Sequence, residues 1–438
     1  MSHHDVVVVG TGLAGLTAAV RLAEDGARVL VLAKGVGATH LSSGTIDVLG
    51  YAPAGTHGAP ERVERPAEAI GALVDARPGH PYALVGPDAP AGAVEWFKAR
   101  IAAGPLSPYA YSGSLERNFL LPTAVGAARP SAVVPETMAG GDLRSEAAIC
   151  IVGFRALKDF HPRLAADMLG RTGVRARGVE LDLVPEGRAD VNALGFARAF
   201  DDRAFRAEVT AQLVGQLGVE ERAAFPAVLG IADPHAVWEE LEHRLGRTVF
   251  EIPTLPPSVP GMRVYQSLNA TLRRAGGRVI LNAVVTGAEH ENGRVSALRT
   301  RVGLREEHRG ADWVVLATGG FASGGIELDS RWSAHETALG LPVTGVPEPG
   351  AERFRPGYFD DHPMARAGVA ADPELRPVDA GGERLYENVL VAGATLAGAE
   401  PWREKSGDGL SLCTGYRAAE LVLTASAGAG SPAGAVGS

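Results

Sequence analysis

The chain has 438 residues, 46% hydrophobic and 21% charged, with 56 glycines and 29 prolines, which suits a globular protein of two or three domains rather than a disordered or collagen-like one. Its 42 Lys and Arg against 51 Asp and Glu leave a net charge of −9 with no long basic run, an argument against nucleic-acid binding. Two cysteines, Cys150 and Cys413, are too few for an iron–sulfur cluster or a cysteine-rich zinc site; no metal is expected, and both read as buried small hydrophobes.

In chain order, Asp5-Val-Val-Val-Val9 is a continuous apolar run of the kind buried on both faces of a parallel sheet. Gly10-Thr-Gly-Leu-Ala-Gly15 follows at once, then a helix with apolar residues at Leu16, Ala19, Val20, Leu22 and Ala23, then a second strand, Arg28–Leu32. Residues 50–145 are rich in Pro and Gly and read as loops and short helices. Ala147–Val152 is a buried strand, and Arg155–Leu169 a loop entering a helix. Phe200–Leu217 and Ala236–Leu245 are helical. Thr254-Leu-Pro-Pro-Ser-Val-Pro-Gly261 is a turn-rich loop before a helix over Met262–Arg274. Val279–Val285 and Val295–Arg301 flank Asn292-Gly293, a hairpin signal. Asp312–Gly320 is a strand running into a glycine turn, Asn388–Gly393 a last strand and Gly409–Ala425 a last helix. The pattern predicts an α/β protein: a Rossmann-like FAD/NAD(P)-binding fold with a parallel central sheet and an inserted α+β substrate or cap domain. The expected divisions are 1–55 for the first β-α-β part, 56–145 for a loop-rich insertion, 146–310 for a mixed cap and interaction region, 311–425 for the return, and 426–438 for a flexible tail.

No apolar run reaches the ~18–20 residues that span a bilayer, and the N-terminus lacks a signal peptide's charged region and cleavage site. The expected location is therefore cytoplasmic, with a membrane reached only through a partner.

The motif Gly10-x-Gly12-x-x-Gly15 sits between strand and helix, where it makes a phosphate site. Gly10 permits the turn, Gly12 lets backbone approach the anion, and Gly15 lets helix pack on sheet. Thr11, Leu13 and Ala14 complete that turn. The acid that binds an adenosine ribose at the end of the second strand is missing: Ala33 stands there, followed by Lys34 and Gly35. A mononucleotide flavin, FMN, fits that absence, with FAD as the alternative. Thr39, His40, Ser42, Ser43 and Gly44 suit a loop against the flavin; His40 is equally a flavin donor or a satisfied loop residue. Thr318 and Gly319, in the turn Ala317-Thr-Gly-Gly320, and Gly393, Gly409 and Leu410 near the C-terminus are further flavin-contact candidates. Ala394 replaces the Asp that holds the ribityl chain in such folds. For a phosphorylated substrate the available cations are Arg155, His161, His362 and Arg366. His40, His362 and Arg366 are the catalytic candidates.

Gly10–Gly15, His40-Leu-Ser-Ser-Gly44, Pro81-Tyr-Ala-Leu84, Cys150-Ile-Val-Gly-Phe154 with Asp159-Phe160, Thr254-Leu-Pro-Pro-Ser258 with Gly261, and Gly319 to Gly325 together resemble the B-subunit of the anaerobic glycerol-3-phosphate dehydrogenases. The similarity runs over most of residues 5–422. It implies a three-subunit complex in which a catalytic flavoprotein subunit oxidises glycerol 3-phosphate to dihydroxyacetone phosphate. An iron–sulfur subunit helps attach the complex to the inner face of the cell membrane, and electrons pass to a quinone. The B-subunit of that family is taken to carry FMN. The competing expectations are a stand-alone flavin oxidoreductase of the fumarate-reductase type and a non-catalytic scaffold with a flavoprotein-like fold.

Overall fold

The computed structural model describes residues 2–52, 60–185 and 190–429. The main domain is built on a seven-stranded sheet. Its order is Arg278–Leu281, Val29–Ala33, Ser2–Val9, Arg305–Leu316, Arg294–Val302 and Ala283–Glu291, with Val389–Val391 also paired to Arg305–Leu316. The strands around Ser2–Val9 run parallel, and 283–316 form an antiparallel meander on one side. Val6–Val9 and Val29–Leu32 are buried throughout, as continuous apolar strands must be when both faces are covered. The opening helix, Leu13–Glu24, packs against the closing helix, Gly407–Ala429, and against Val259–Arg274. A Cβ at Gly415 would lie 2.3 Å from the Ala14 carbonyl oxygen, so the closing helix crosses the opening one at a glycine and brings its first turn beside the Gly10–Gly15 turn.

The Asn292-Gly293 turn forms with both residues in the left-handed region, φ 50° and 73°, as a two-residue hairpin requires. The run Val279–Val285 divides at Asn282, φ 57°: Arg278–Leu281 joins Val29–Ala33, and Ala283 begins the hairpin. Residues 278–310 therefore already belong to the main sheet, ahead of the expected return at 311. The closing helix continues to Ala429; the rest of the expected tail lies outside the described residues.

Between these parts, helices Pro66–Ala76, Pro81–Val85 and Ala89–Ala102 precede two antiparallel pairs, Tyr111–Gly113 with Val133–Pro135 and Phe119–Pro122 with Ala128–Ser131. The cap then forms a four-stranded, wholly parallel sheet with its own core, in the order Ala176–Leu181, Ile149–Phe154, Arg222–Pro226, Val249–Ile252. The helix expected over 200–217 is broken at Asp201-Asp202. The Asp202 carboxylate accepts from Ala204 N–H and caps Arg203–Leu213, while Asp201 accepts from Ile231 and Ala232 N–H. The helix expected from Met262 begins at Val259, because the Ser258 hydroxyl accepts from Gly261 N–H at 3.1 Å. From this helix the buried Arg263 donates to Glu251 and to the Leu229 and Gly230 carbonyls, with its guanidinium 5.5 Å from the centre of the Tyr109 ring. That ion pair ties the main domain to the cap.

Candidate functional site

A cavity of about 590 Å³ opens where the first strand meets the first helix. Its floor is the glycine turn. Gly10, φ 119°, lies so close to Ala317 that an added Cβ would come within 2.1 Å of the Ala317 carbonyl oxygen, and one on Gly15 would come equally close to the Gly10 oxygen. Gly12 is different: its Cβ would meet nothing within 4 Å. Its missing side chain leaves space inside the cavity, at the end of a helix whose first-turn amides have no carbonyl to bond within the helix. The Thr11 hydroxyl donates to the Gly35 carbonyl at 2.6 Å and fixes the turn to the end of the second strand.

The cavity runs in two directions from that floor. Toward the meander it is lined by Leu32, Ala33, Ala283, Val285, Thr337 and Ala338, a compartment of mostly small apolar side chains. Lys34 reaches across it to the Gly324 carbonyl, 3.4 Å away. Toward the closing helix it is lined by Thr39, Leu41, Ser42, Gly393, Ala394, Gly407, Asp408 and Ser411. The Thr395 hydroxyl accepts from Gly319 N–H at 2.9 Å, and the Thr414 hydroxyl accepts from Gly393 N–H at 2.8 Å, so the late turns are pinned to each other and to the closing helix. The buried Glu336 accepts from Ala338 and Leu339 N–H and shapes the wall at Thr337.

Of the residues expected around a flavin, Gly10, Thr11, Gly12, Leu13, Ala14, Ala33, Lys34, Gly35, Thr39, Ser42, Thr318, Gly319 and Gly393 line the cavity. Six do not. Gly15 packs on Gly10, Gly44 against Pro260, and Gly409 against Val48 and the Tyr82 hydroxyl. The Ser43 hydroxyl bonds Thr45, and Leu410 is buried in the main core. His40 stands edge-on to Tyr265, ring centres 4.8 Å apart, and burial lowers its pKa.

The other cations lie elsewhere. His362 holds a turn: Nδ1 accepts from Arg355 N–H at 3.1 Å and Nε2 lies 3.1 Å from the Gly357 carbonyl, so neither nitrogen is left for a substrate. Arg366 is engaged by Asp361 and Glu400 in a buried ionic cluster that also holds Arg77, His80, Arg403 and Glu404. Arg155 faces Asp182 on the surface, and His161 is exposed at the start of a cap helix.

Sequence reasoning missed Gly37, Asp408 and Ser411. Asp408 directly precedes the expected contacts Gly409 and Leu410, and an acid in the first turn of the last helix of a flavin-type chain was the available signal. Its neighbour Asp47 is clamped by Arg129 and Ser131 and accepts from the Thr45 hydroxyl at 2.9 Å. Burial pushes the Asp408 carboxyl up to about 7; the charge of Asp47 adds to the rise and Arg129 opposes it.

A glycine turn with open space at its middle glycine, unpaired helix-end amides and an apolar compartment beside them fit a flavin nucleotide. The sequence comparisons agree. A family described as "FAD binding domain" matches residues 5–410. A probable B-subunit of anaerobic glycerol-3-phosphate dehydrogenase from Halobacterium salinarum (strain R1) is 33% identical over 94% of this chain and 96% of that protein. The B-subunit of the anaerobic glycerol-3-phosphate dehydrogenase of Pectobacterium carotovorum (strain PC1) is 31% identical over 96% of this chain and 98% of its own length. Among solved structures, a 3-ketosteroid delta1-dehydrogenase from Sterolibacterium denitrificans is similar over 97% of this chain and 100% of that one, at 13% identity and a TM-score of 0.46. The fold and cavity define a flavin-binding protein with a Rossmann-like core. Within that class, the chain belongs to the family of anaerobic glycerol-3-phosphate dehydrogenase B-subunits.

Proposed function

We propose that this chain is a flavin-bearing subunit of an sn-glycerol-3-phosphate dehydrogenase complex that delivers electrons to a quinone. The carrying observation is the open space at Gly12 within a cavity shaped for a flavin nucleotide, in a chain matched along nearly its whole length by proteins named as the B-subunit. A bound flavin accepts an electron pair and can release the electrons singly. The chain's residues hold it: helix-end amides at Gly12–Ala14 take the phosphate, and Thr318–Gly319, Gly393 and the first turn of the closing helix wall the cavity. With only two cysteines, both buried, this chain cannot supply the thiolates of an iron–sulfur cluster. Single electrons leave through a cluster-bearing partner, and that partner brings the complex to the membrane; no helix among the described residues is long and apolar enough to cross one.

Two features bear on the flavin's form. Ala33 offers no carboxylate to an adenosine ribose, a loss of about 1.5–3 kcal/mol for a charge-assisted hydrogen bond. Against that, the apolar compartment at Ala33, Ala283 and Val285 can bury a flat ring system, and ~150 Å² of burial at ~25 cal/mol per Å² stabilises by about 4 kcal/mol. The compartment outweighs the missing acid, and FAD is the proposed cofactor.

The test is to purify the complex, release its chromophores by heat and chromatograph them, from the whole complex and from this chain alone. FAD from the lone chain supports the full reading. FMN keeps the subunit assignment and refutes the adenine compartment. A colourless chain whose omission leaves glycerol-3-phosphate:quinone reductase activity intact overturns the proposal.

A further inference from the structure

The wall made by the closing helix carries a group that flavin binding alone does not call for. Asp408 sits in the first turn of a 23-residue helix, lines the cavity, and makes no side-chain hydrogen bond among the described residues. The groups facing it are Asp47 from the segment after Gly44, Arg129 from the second antiparallel pair, Tyr82 from the helix Pro81–Val85 and Tyr111 from the first antiparallel pair. Arg129 is already bound by Asp47 through Nε at 2.8 Å and a second, shorter contact. Tyr82 donates to the Val48 carbonyl and Tyr111 to the Gly44 carbonyl, and burial raises both phenols, so neither carries charge at neutral pH. Arg129 offsets only part of the charge of Asp47, and Asp408 is left as the acid of this wall that faces the cavity without a side-chain hydrogen bond among the described residues.

We propose that Asp408 is the proton-holding residue of the flavin cavity, taking up one proton as the flavin accepts its electron pair and giving it back as the pair leaves. The inference rests on the flavin reading above. Reduction adds two electrons and one proton to the flavin, leaving one net negative charge; the pair comes from the hydroxyl-bearing substrate in turnover and from a chemical reductant in a titration. New negative charge beside a partly buried carboxylate disfavours its ionised form. One further proton from solvent then bonds to a carboxylate oxygen of Asp408, and no other bond breaks. Reoxidation returns that proton to solvent. The carboxyl's raised pKa puts this exchange at the edge of the neutral range.

The experiment is a spectroelectrochemical titration of the bound flavin across the neutral range, in the wild-type holoprotein, Asp408→Asn and Asp408→Glu. A second proton per electron pair steepens the midpoint potential by about 30 mV per pH unit. The steepening is expected above the Asp408 pKa in wild type, displaced along the pH axis in Asp408→Glu, and absent in Asp408→Asn. Parallel plots for wild type and Asp408→Asn overturn the proposal while leaving flavin binding standing. If Asp408→Asn retains no flavin, the other two decide: a straight wild-type plot, or a bend that Asp408→Glu does not move, overturns it. A wild-type chain without flavin overturns this inference and the flavin reading together.

Discussion

Gly12 and Gly15 lie three residues apart and lack a side chain for opposite reasons. At Gly15 there is no room, since a methyl would sit 2.1 Å from a backbone oxygen; at Gly12 nothing stands within 4 Å, and the space opens into the cavity. Gly12→Val is therefore expected to keep the wild-type circular dichroism and lose the visible flavin absorbance, whereas Gly15→Ala loses helix–sheet packing and melts lower even without flavin. A Gly12→Val protein of unchanged flavin content refutes the phosphate assignment. Asp408 makes a second residue-scale prediction, on stability. Its folded pKa of about 7 exceeds the ordinary 3.8, so the unfolded chain ionises first. The resulting penalty is absent below the lower value, grows between the two and is constant above the higher. Flavin-free Asp408→Asn should match wild type in acid and exceed it above neutrality by on the order of 4 kcal/mol in denaturant titrations. Equal stability at both ends would show that the carboxylate is not disfavoured in the fold. Asp408 was hidden in the sequence because an acid in a first helical turn has an ordinary explanation, the helix dipole. Its electrostatic coupling to Asp47 spans 361 positions, which no local pattern reveals. His362 and Arg366 misled for the same reason: their partners, a turn carbonyl and a buried carboxylate cluster, appear only on folding.

At the scale of elements, the helix Val259–Arg274 is held to the cap by one fully buried ion pair, Arg263 with Glu251. Removing one member strands the other's charge. Glu251→Ala is expected to cost about 3–5 kcal/mol in equilibrium unfolding, while the apolar double replacement Arg263→Met with Glu251→Leu costs much less. A double variant as unstable as the single would mean that hydrogen bonds to the Leu229 and Gly230 carbonyls, rather than the stranded charge, dominate. Elements whose cause is local were readable beforehand: the valine-rich strands at 6–9 and 29–32, and the Asn292-Gly293 turn. The parallel order of the cap sheet was not, because its strands are buried runs separated by helices, and nothing in such a run names its neighbour. The break at Asp201-Asp202 was missed because apolar spacing continues through it, while the Asp202 cap sets the boundary.

The molecule contains two large cores, one under the main sheet and one inside the cap. Among the described residues, none from the cap sheet lines the cavity. Flavin should therefore stabilise the main core selectively, by about 2.7 kcal/mol at a hundredfold excess over its Kd. Hydrogen exchange with and without added flavin checks this: amides of Val6–Val9 and Val29–Leu32 slow, and those of Ile149–Phe154 and Arg222–Pro226 change little. Equal slowing of both sets would mean that the two cores open as one unit.

The cavity's walls include segments far apart in the chain, Val9–Ala14 and Gly407–Ser411 among them. During synthesis the first wall leaves the ribosome hundreds of residues before the last. A nascent polypeptide arrested upstream of Gly407 lacks the lid over its own pigment site and should stay colourless when incubated with flavin, while one released past the closing helix turns yellow. Flavin capture is therefore expected only once Gly407–Ser411 has been made, and a nonsense mutation ahead of Gly407 yields an unpigmented product.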